Sequence, residues 1–298
     1  MGRHAYLITA YDDYYLLDCL IELLIDPRND TYVHVDKKST DFDEGKFLSR
    51  WRDASVQLVP RRRVYWGDFT HVKNILELLR FALDRGKYDY LHLLSGSDLP
   101  VKSQDFIHDF CTQNTGKEFV AFNHLGAYQE EWIRFAHPFN HQLRAKSKIV
   151  RVGSNRLRRA ALTAQKRLDV DFRRRIPGEV KYGSDWFSVT AESAALLLAR
   201  EADITRWFRH AFIPSEFFVQ TILWNSGLAG RVFDLDDPYH SSMRLIDFPR
   251  GSGSSPHIWT MADADELAST DRLFARKFNS RVDAEIVHRV CAQVRSQS

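Results

Sequence analysis

Glu216 lies in the segment Phe212-Ile213-Pro214-Ser215-Glu216-Phe217-Phe218, ahead of an apolar run to Trp224. A carboxylate set among aromatic rings can take a proton from a hydroxyl as that oxygen attacks an electrophile. Pro214 fits the first position of a helix, which puts Glu216 in the first turn, where the helix dipole favours the ionised form. An ordinary helix-start glutamate has the same spacing, and the residues alone leave both readings open. Arg276 and Lys277 sit in Leu273-Phe274-Ala275-Arg276-Lys277-Phe278, where apolar neighbours would anchor a cation pair. Together with Arg244 and Arg250, such fixed cations can neutralise a leaving diphosphate without a metal. A surface cation pair would look the same. Trp132, Arg134 and Trp186 suit an acceptor side, because rings stack on sugar faces and guanidinium groups pair with anions. Core aromatics beside a surface arginine are the alternative.

Several chemistries are absent from the pattern. The sequence has no GxSxG elbow, no HExxH, no GxxxxGK[ST] and no GxGxxG after its first apolar segment. These absences argue against a serine hydrolase, a zinc protease, a P-loop enzyme and a dinucleotide enzyme. A metal-dependent sugar transferase would carry Asp-x-Asp after a sheet strand. The matching place, Leu94-Ser95-Gly96-Ser97-Asp98, has one aspartate. Of the other pairs, only Asp234/Asp236 follows an apolar run, and loop carboxylates of this kind are usually solvated.

The elements that must position these residues read as alternating strand and helix. Residues 4–10, 31–35, 56–59 and 88–94 have strand character, while 12–25 and 68–83 carry apolar residues at helical spacing. The expected fold class is α/β, with a mostly parallel sheet flanked by helices. Polar residues follow each strand: Thr9; Asp36 and Lys37; Arg61 to Arg63 and Trp66; Ser95 to Asp98. Ligands of open α/β sheets bind beyond the carboxyl ends of the strands, so these tips suggest a nucleotide pocket. Residues 105–209 read as mainly helical with a strand-like stretch at 186–190, and the segment after Arg272 as helical and basic. No linker stands out, so one domain over 1–298 is expected. It comprises a nucleotide-binding half to about residue 115 and an acceptor and catalytic half beyond it.

Composition fits a soluble globular chain: 298 residues, 44% apolar, net charge +3. The charge is uneven. Twelve Lys/Arg against Asp169 and Asp171 give +10 between Arg144 and Arg175, leaving −7 elsewhere. Such a stripe attracts an anion, a membrane face or nucleic acid, or is simply a solvated helix face. The negative remainder argues against nucleic acid. Cys19, Cys111 and Cys291 form neither a disulfide framework nor a zinc site, and each is expected to be a buried small hydrophobe in a reducing setting. No targeting segment is legible before residue 4. The expectation is therefore cytoplasmic, with peripheral contact to an anionic membrane through residues 144–175.

Taken in order, the segments Ala5-Tyr6-Leu7-Ile8, Tyr32-Val33-His34-Val35-Asp36-Lys37-Lys38, Leu93-Leu94-Ser95-Gly96-Ser97-Asp98-Leu99-Pro100, Tyr182-Gly183-Ser184-Asp185-Trp186-Phe187, Pro214-Ser215-Glu216-Phe217, Met243-Arg244-Leu245-Ile246-Asp247-Phe248 and Leu273-Phe274-Ala275-Arg276-Lys277-Phe278 resemble one family. It is the core-2/I-branching β-1,6-N-acetylglucosaminyltransferase and peptide O-xylosyltransferase family. The resemblance implies a GT-A-type fold, a UDP-sugar donor, inversion at the anomeric carbon and no metal or other cofactor. It makes Glu216 the base, Lys277 a diphosphate ligand and Asp36 a uridine contact. Thr9, Arg63, Trp66, Ser95, Asp98, Arg250 and Arg276 fall on the donor side, and Trp132, Arg134, Ser184, Asp185, Trp186, Arg244 and Asp247 on the acceptor side. N-acetylglucosamine is the expected sugar, with xylose as alternative, and a glycan or glycolipid hydroxyl the acceptor. A non-catalytic nucleotide-sugar-binding module is the rival. One departure stands out: the animal enzymes place a second diphosphate-binding arginine after a His-Val pair, and here His257-Ile258 is followed by Trp259. Arg250, Arg244 and Arg276 are the candidates to replace that charge. Without the disulfides and membrane anchor of the animal enzymes, the chain looks like a bacterial relative.

Overall fold

The computed structural model describes residues 2–253 and 255–297. Strand β1 (His4–Ala10) is the centre of the main sheet. It pairs in parallel with β2 (Asn29–Val35) on one side and β4 (Tyr90–Ser95) on the other; β3 (Val56–Leu58) and β6 (Ser188–Thr190) complete the order β3-β2-β1-β4-β6. Only β6 runs antiparallel. A strand covered on both faces needs apolar residues throughout, and β1 is buried along nearly its whole length. Alternation then splits it: Tyr6, Ile8 and Ala10 enter one core, Ala5 and Leu7 the other.

Helices Tyr14–Leu24, Gln104–Gln113 and Ala284–Ser296 cover the first core. Helices Phe69–Leu83, Ala191–Ala199 and Phe218–Trp224 cover the second. The two helices expected in the first third are present, and each start is set by an aspartate. Asp13 accepts from the Leu16 N–H and Asp68 from the Thr70 N–H, satisfying donors that a helix start leaves free.

A second sheet escaped the sequence reading. It has the order β5-β8-β7, from β5 (Asp98–Pro100), β7 (Arg244–Ile246) and β8 (Phe274–Arg276). The segment after Arg272 is therefore a strand first, and the basic helix begins only at Ala284. Three-residue strands have no readable period; pairing with distant segments makes them strands. In β8, Arg276 lies opposite Asp98 of β5 and beside Ile246 of β7. The three cysteines are buried free thiols. Among the described residues no helix is long and apolar enough to cross a membrane.

Candidate active site

Glu216 ends a one-turn 3-10 helix, Pro214–Glu216, rather than lying inside the longer helix that follows. The turn is entered through Ile213, a β-branched residue at φ 46° and ψ 54°, a sterically costly region. Two backbone bonds hold it there: Ile213 N–H to the Gly67 carbonyl (3.1 Å) and Phe212 N–H to the Trp132 carbonyl (2.8 Å). Gly67 has φ 74°, and a Cβ there would lie 2.6 Å from the Phe212 ring, so glycine is required. On the other side, the Gly183 N–H donates to the Glu216 carbonyl at 2.9 Å. A Cβ on Gly183 would lie 1.9 Å from the Ala121 carbonyl oxygen, so this crossing also needs glycine.

The Glu216 carboxyl is pushed up to about 8, first by burial and then by the negative charge of Asp185, against a hydrogen bond from Tyr182. Proximity to a helix start, which suggested an ionised carboxylate, is outweighed by desolvation. Tyr182 packs on Phe217 with ring centroids 5.3 Å apart, and Trp132 sits edge-on to both rings.

From Asp185 a chain of contacts runs to Arg276. The Ser215 hydroxyl donates to Asp185 at 3.4 Å, and His71 Nδ1 lies 3.6 Å from the same carboxylate. Burial pushes the His71 imidazole below its ordinary value. The Arg276 guanidinium lies 4.1 Å from the centre of the Trp186 ring and donates to Asp98 at 2.8 Å. Asp98 also accepts from the Ser95 N–H at 2.9 Å. Burial raises the Asp98 carboxyl despite both partners. Lys277, Thr9, Ser95, Asp12 and Asn279 line one open cleft beyond the carboxyl ends of β1 and β4. Burial and the repulsion of Arg276 and Arg144 lower Lys277. The neighbouring acids are already engaged: Asp12 pairs with Arg281 and Asp13 with Ser280.

The next strand end carries Asp36. Its carboxylate accepts from the Lys38 N–H at 2.8 Å and lies 3.2 Å from Lys38 Nζ. Arg61 donates to the carbonyls of Val35, Asp36 and Ser39 and fixes this loop. Lys38 reaches over the Tyr65 ring at 4.5 Å. Trp66 and Arg63 are both exposed.

Several expected residues are already engaged within the protein. Arg244 is 1% exposed and spends its guanidinium on the carbonyls of Ser242 and Phe187 and on Ser188 Oγ. It is a core cation, not an acceptor or diphosphate ligand, because β7 turns it under β8. Arg250 is ion-paired to Asp247, Asp263 and Glu266, so neither Arg250 nor Asp247 presents a free charge. Arg134 is bound to Asp169 at 2.6 Å. Trp259, where the expected arginine is missing, is fully buried. Ser184 caps its own turn, accepting from the Trp186 N–H at 3.2 Å.

Arg144 is the cation that local reading misplaced. It belongs to the basic stretch, yet its guanidinium lies 4.2 Å from the centre of the Trp66 ring, and its field reaches Lys277. Among the described residues, no carboxylate is within ion-pair distance of it. Its loop is tied to the loop leading to Glu216 by Asn140, which donates to the Ala211 carbonyl at 3.0 Å. Tyr182 and His71 were also missed. None has a local signal, since their roles come from partners at least 34 residues away in the chain.

A separate buried group, His4, His92 and Cys111, places possible metal-ligating atoms within 4.8 Å of one another. The two imidazoles already bond each other at 3.1 Å, and His92 bonds Ser188 Oγ at 2.7 Å. Burial keeps both rings neutral, which describes a satisfied core network.

Residues 4–236 match the family model of the Core-2/I-Branching enzyme. The chain belongs to this family. Among curated relatives of this core-2/I-branching chain are Xylosyltransferase oxt of Drosophila pseudoobscura pseudoobscura, 23% identical over 293 residues, and Xylosyltransferase 2 of Rattus norvegicus, 25% identical over 281 residues. The alignments cover 90% and 86% of the chain, and the chain spans about 30% of the length of these relatives. The apo-form glycosyltransferase GlyE of Streptococcus pneumoniae TIGR4 matches 56% of the chain and 39% of its own, at 12% identity and a TM-score of 0.23, too low to bear on fold or function.

Proposed function

We propose that the chain is an inverting glycosyltransferase that moves a sugar from a UDP-sugar to a hydroxyl of a glycan or glycolipid acceptor without a metal. The carrying observation is Glu216, a partly buried carboxyl with its value raised to about 8, joined through Asp185, His71 and Trp186 to the cations beside the strand-end cleft. In a single displacement, Glu216 takes the acceptor proton while the acceptor oxygen bonds to the anomeric carbon. The bond from that carbon to the diphosphate breaks, and the electron pair leaves with UDP. Lys277 and Arg144, without carboxylate partners among the described residues, are the cations that would face the departing diphosphate. Asp36 supports the reading as a uridine contact, and Trp132 and Trp186 support it as sugar-facing rings.

The relatives named above are xylosyltransferases, which favours xylose as the donor sugar over the N-acetylglucosamine expected from the sequence. Turnover with a panel of UDP-sugars decides between them. Glu216→Gln is the direct test of the mechanism. It keeps the shape and loses the base, so transfer should fall by roughly 10²–10⁴-fold while UDP binding, read by calorimetry, changes little. Full activity in that variant would remove Glu216 from the reaction. UDP binding with no turnover by the parent chain on any donor would favour a binding module.

A further inference from the structure

The helix Lys148–Arg167 is amphipathic in the opposite sense to a helix packed on its own core. It has 20 residues, about 30 Å of length, and a single buried residue, Ser154. The side turned to the protein is polar. Arg158 donates to His137 Nδ1 at 2.9 Å, and Gln165 exchanges two hydrogen bonds with the Ala136 backbone at 2.8 Å each. The apolar residues lie elsewhere. Ile149, Gly153, Leu157, Ala160, Ala164 and Leu168 follow one another at spacings of three and four, which stacks them in one stripe. All six are exposed: Ile149 at 85%, Leu157 at 58% and Leu168, just past the helix end, at 75%.

A second stripe runs beside it. Lys148, Arg156, Arg159 and Arg167 share one side at the same kind of spacing, and among the described residues none has a carboxylate partner. The helix contains seven Lys/Arg and no Asp or Glu. Leaving apolar side chains in water forgoes the burial that normally stabilises a helix in a protein. An exposed apolar stripe flanked by unpaired cations is the pattern of a helix lying in a membrane interface, with the apolar side toward the acyl chains and the cations at the phosphates.

We infer that this helix is an in-plane anchor for an anionic lipid surface, with Ile149, Leu157 and Leu168 inserted and Lys148, Arg156, Arg159 and Arg167 on the headgroups. Charge complementarity selects this occupant: a second copy of the chain would bring the same unpaired cations against each other. The loop carrying Arg144 leads into the anchor, and Glu131, on the helix that carries Trp132, pairs with Lys166 at 2.5 Å. Docking would therefore bring the glycosyl-transfer site close to the headgroups.

The test is co-sedimentation of the full chain with vesicles of phosphatidylcholine alone and of phosphatidylcholine mixed with phosphatidylglycerol. The parent chain should partition at least about tenfold more strongly to the anionic vesicles, less so as salt rises. The variant Ile149→Ser/Leu157→Ser/Leu168→Ser and the variant Arg156→Glu/Arg159→Glu/Arg167→Glu should each lose most of that binding. Both should keep their helical circular dichroism and their affinity for UDP. No binding by the parent chain overturns the anchor. Unchanged binding by the serine variant overturns insertion, and unchanged binding by the glutamate variant overturns headgroup recognition. A parent dimer that the serine variant converts to monomer, without vesicle binding, would assign the stripe to a second copy and overturn the proposal. None of these outcomes depends on sugar transfer, which is read separately.

Discussion

At the scale of single residues, the proposed displacement makes the charge state of Glu216 set the pH behaviour. Only the ionised carboxylate can accept the acceptor proton, and the raised value means that the protonated form dominates at neutral pH. The kcat/KM profile should therefore rise with pH and level off above about 8. Asp185 contributes to the raised value through its own negative charge. Asp185→Asn should move the rising limb toward lower pH, whatever it does to the plateau. A limb in the ordinary carboxylate range for the parent chain, or no movement in the variant, would contradict this assignment. The approach of Glu216 to an aspartate 31 residues earlier is invisible in the chain order, which showed only a glutamate after a proline.

At the scale of elements, one basic stretch divides into two devices. Its first arginine stacks on the exposed Trp66 ring, while the helix that begins four residues later faces away from the core. The 3-10 turn at Asn140–Gln142 comes just before Arg144 and ties that end of the stretch to the rest of the fold, with Asn140 buried and bonded to Ala211. A charge-assisted contact to a phosphate is typically worth about 1.5–3 kcal/mol. Arg144→Ala should weaken UDP by about tenfold or more at low salt, and the loss should shrink as salt screens the parent contact. Arg156→Ala, on the outer stripe, should leave UDP affinity unchanged. Equal UDP affinity for Arg144→Ala and the parent would remove Arg144 from the donor side.

At the scale of the whole molecule, the proposed site draws on segments far apart in the chain: β1 and β4 for the crevice, 182–186 and 213–216 around Glu216, and Lys277, just past β8, with Arg144, in the loop before the basic helix, for the cations. Cations fixed by the fold can stand in for a metal because their positions are set before the leaving group develops charge. Transfer should accordingly persist in EDTA, and a loss restored by Mn²⁺ would contradict the fixed-cation mechanism. The parallel sheet was legible because its strands are long and apolar and its helices periodic, with caps at Asp13 and Asp68. The polar strand tips were legible for the same reason, since strand ends can be placed once strands can. Motif order in the sequence also named the family and singled out Glu216, Lys277 and Asp36. The fate of the arginines was not legible. Arg244 and Arg250 look as available as Lys277 in the sequence, but β7 buries the first and three carboxylates occupy the second. A charge is free or spent according to the partners that pairing brings from elsewhere in the chain, so only the tertiary structure decides which cations remain for a substrate.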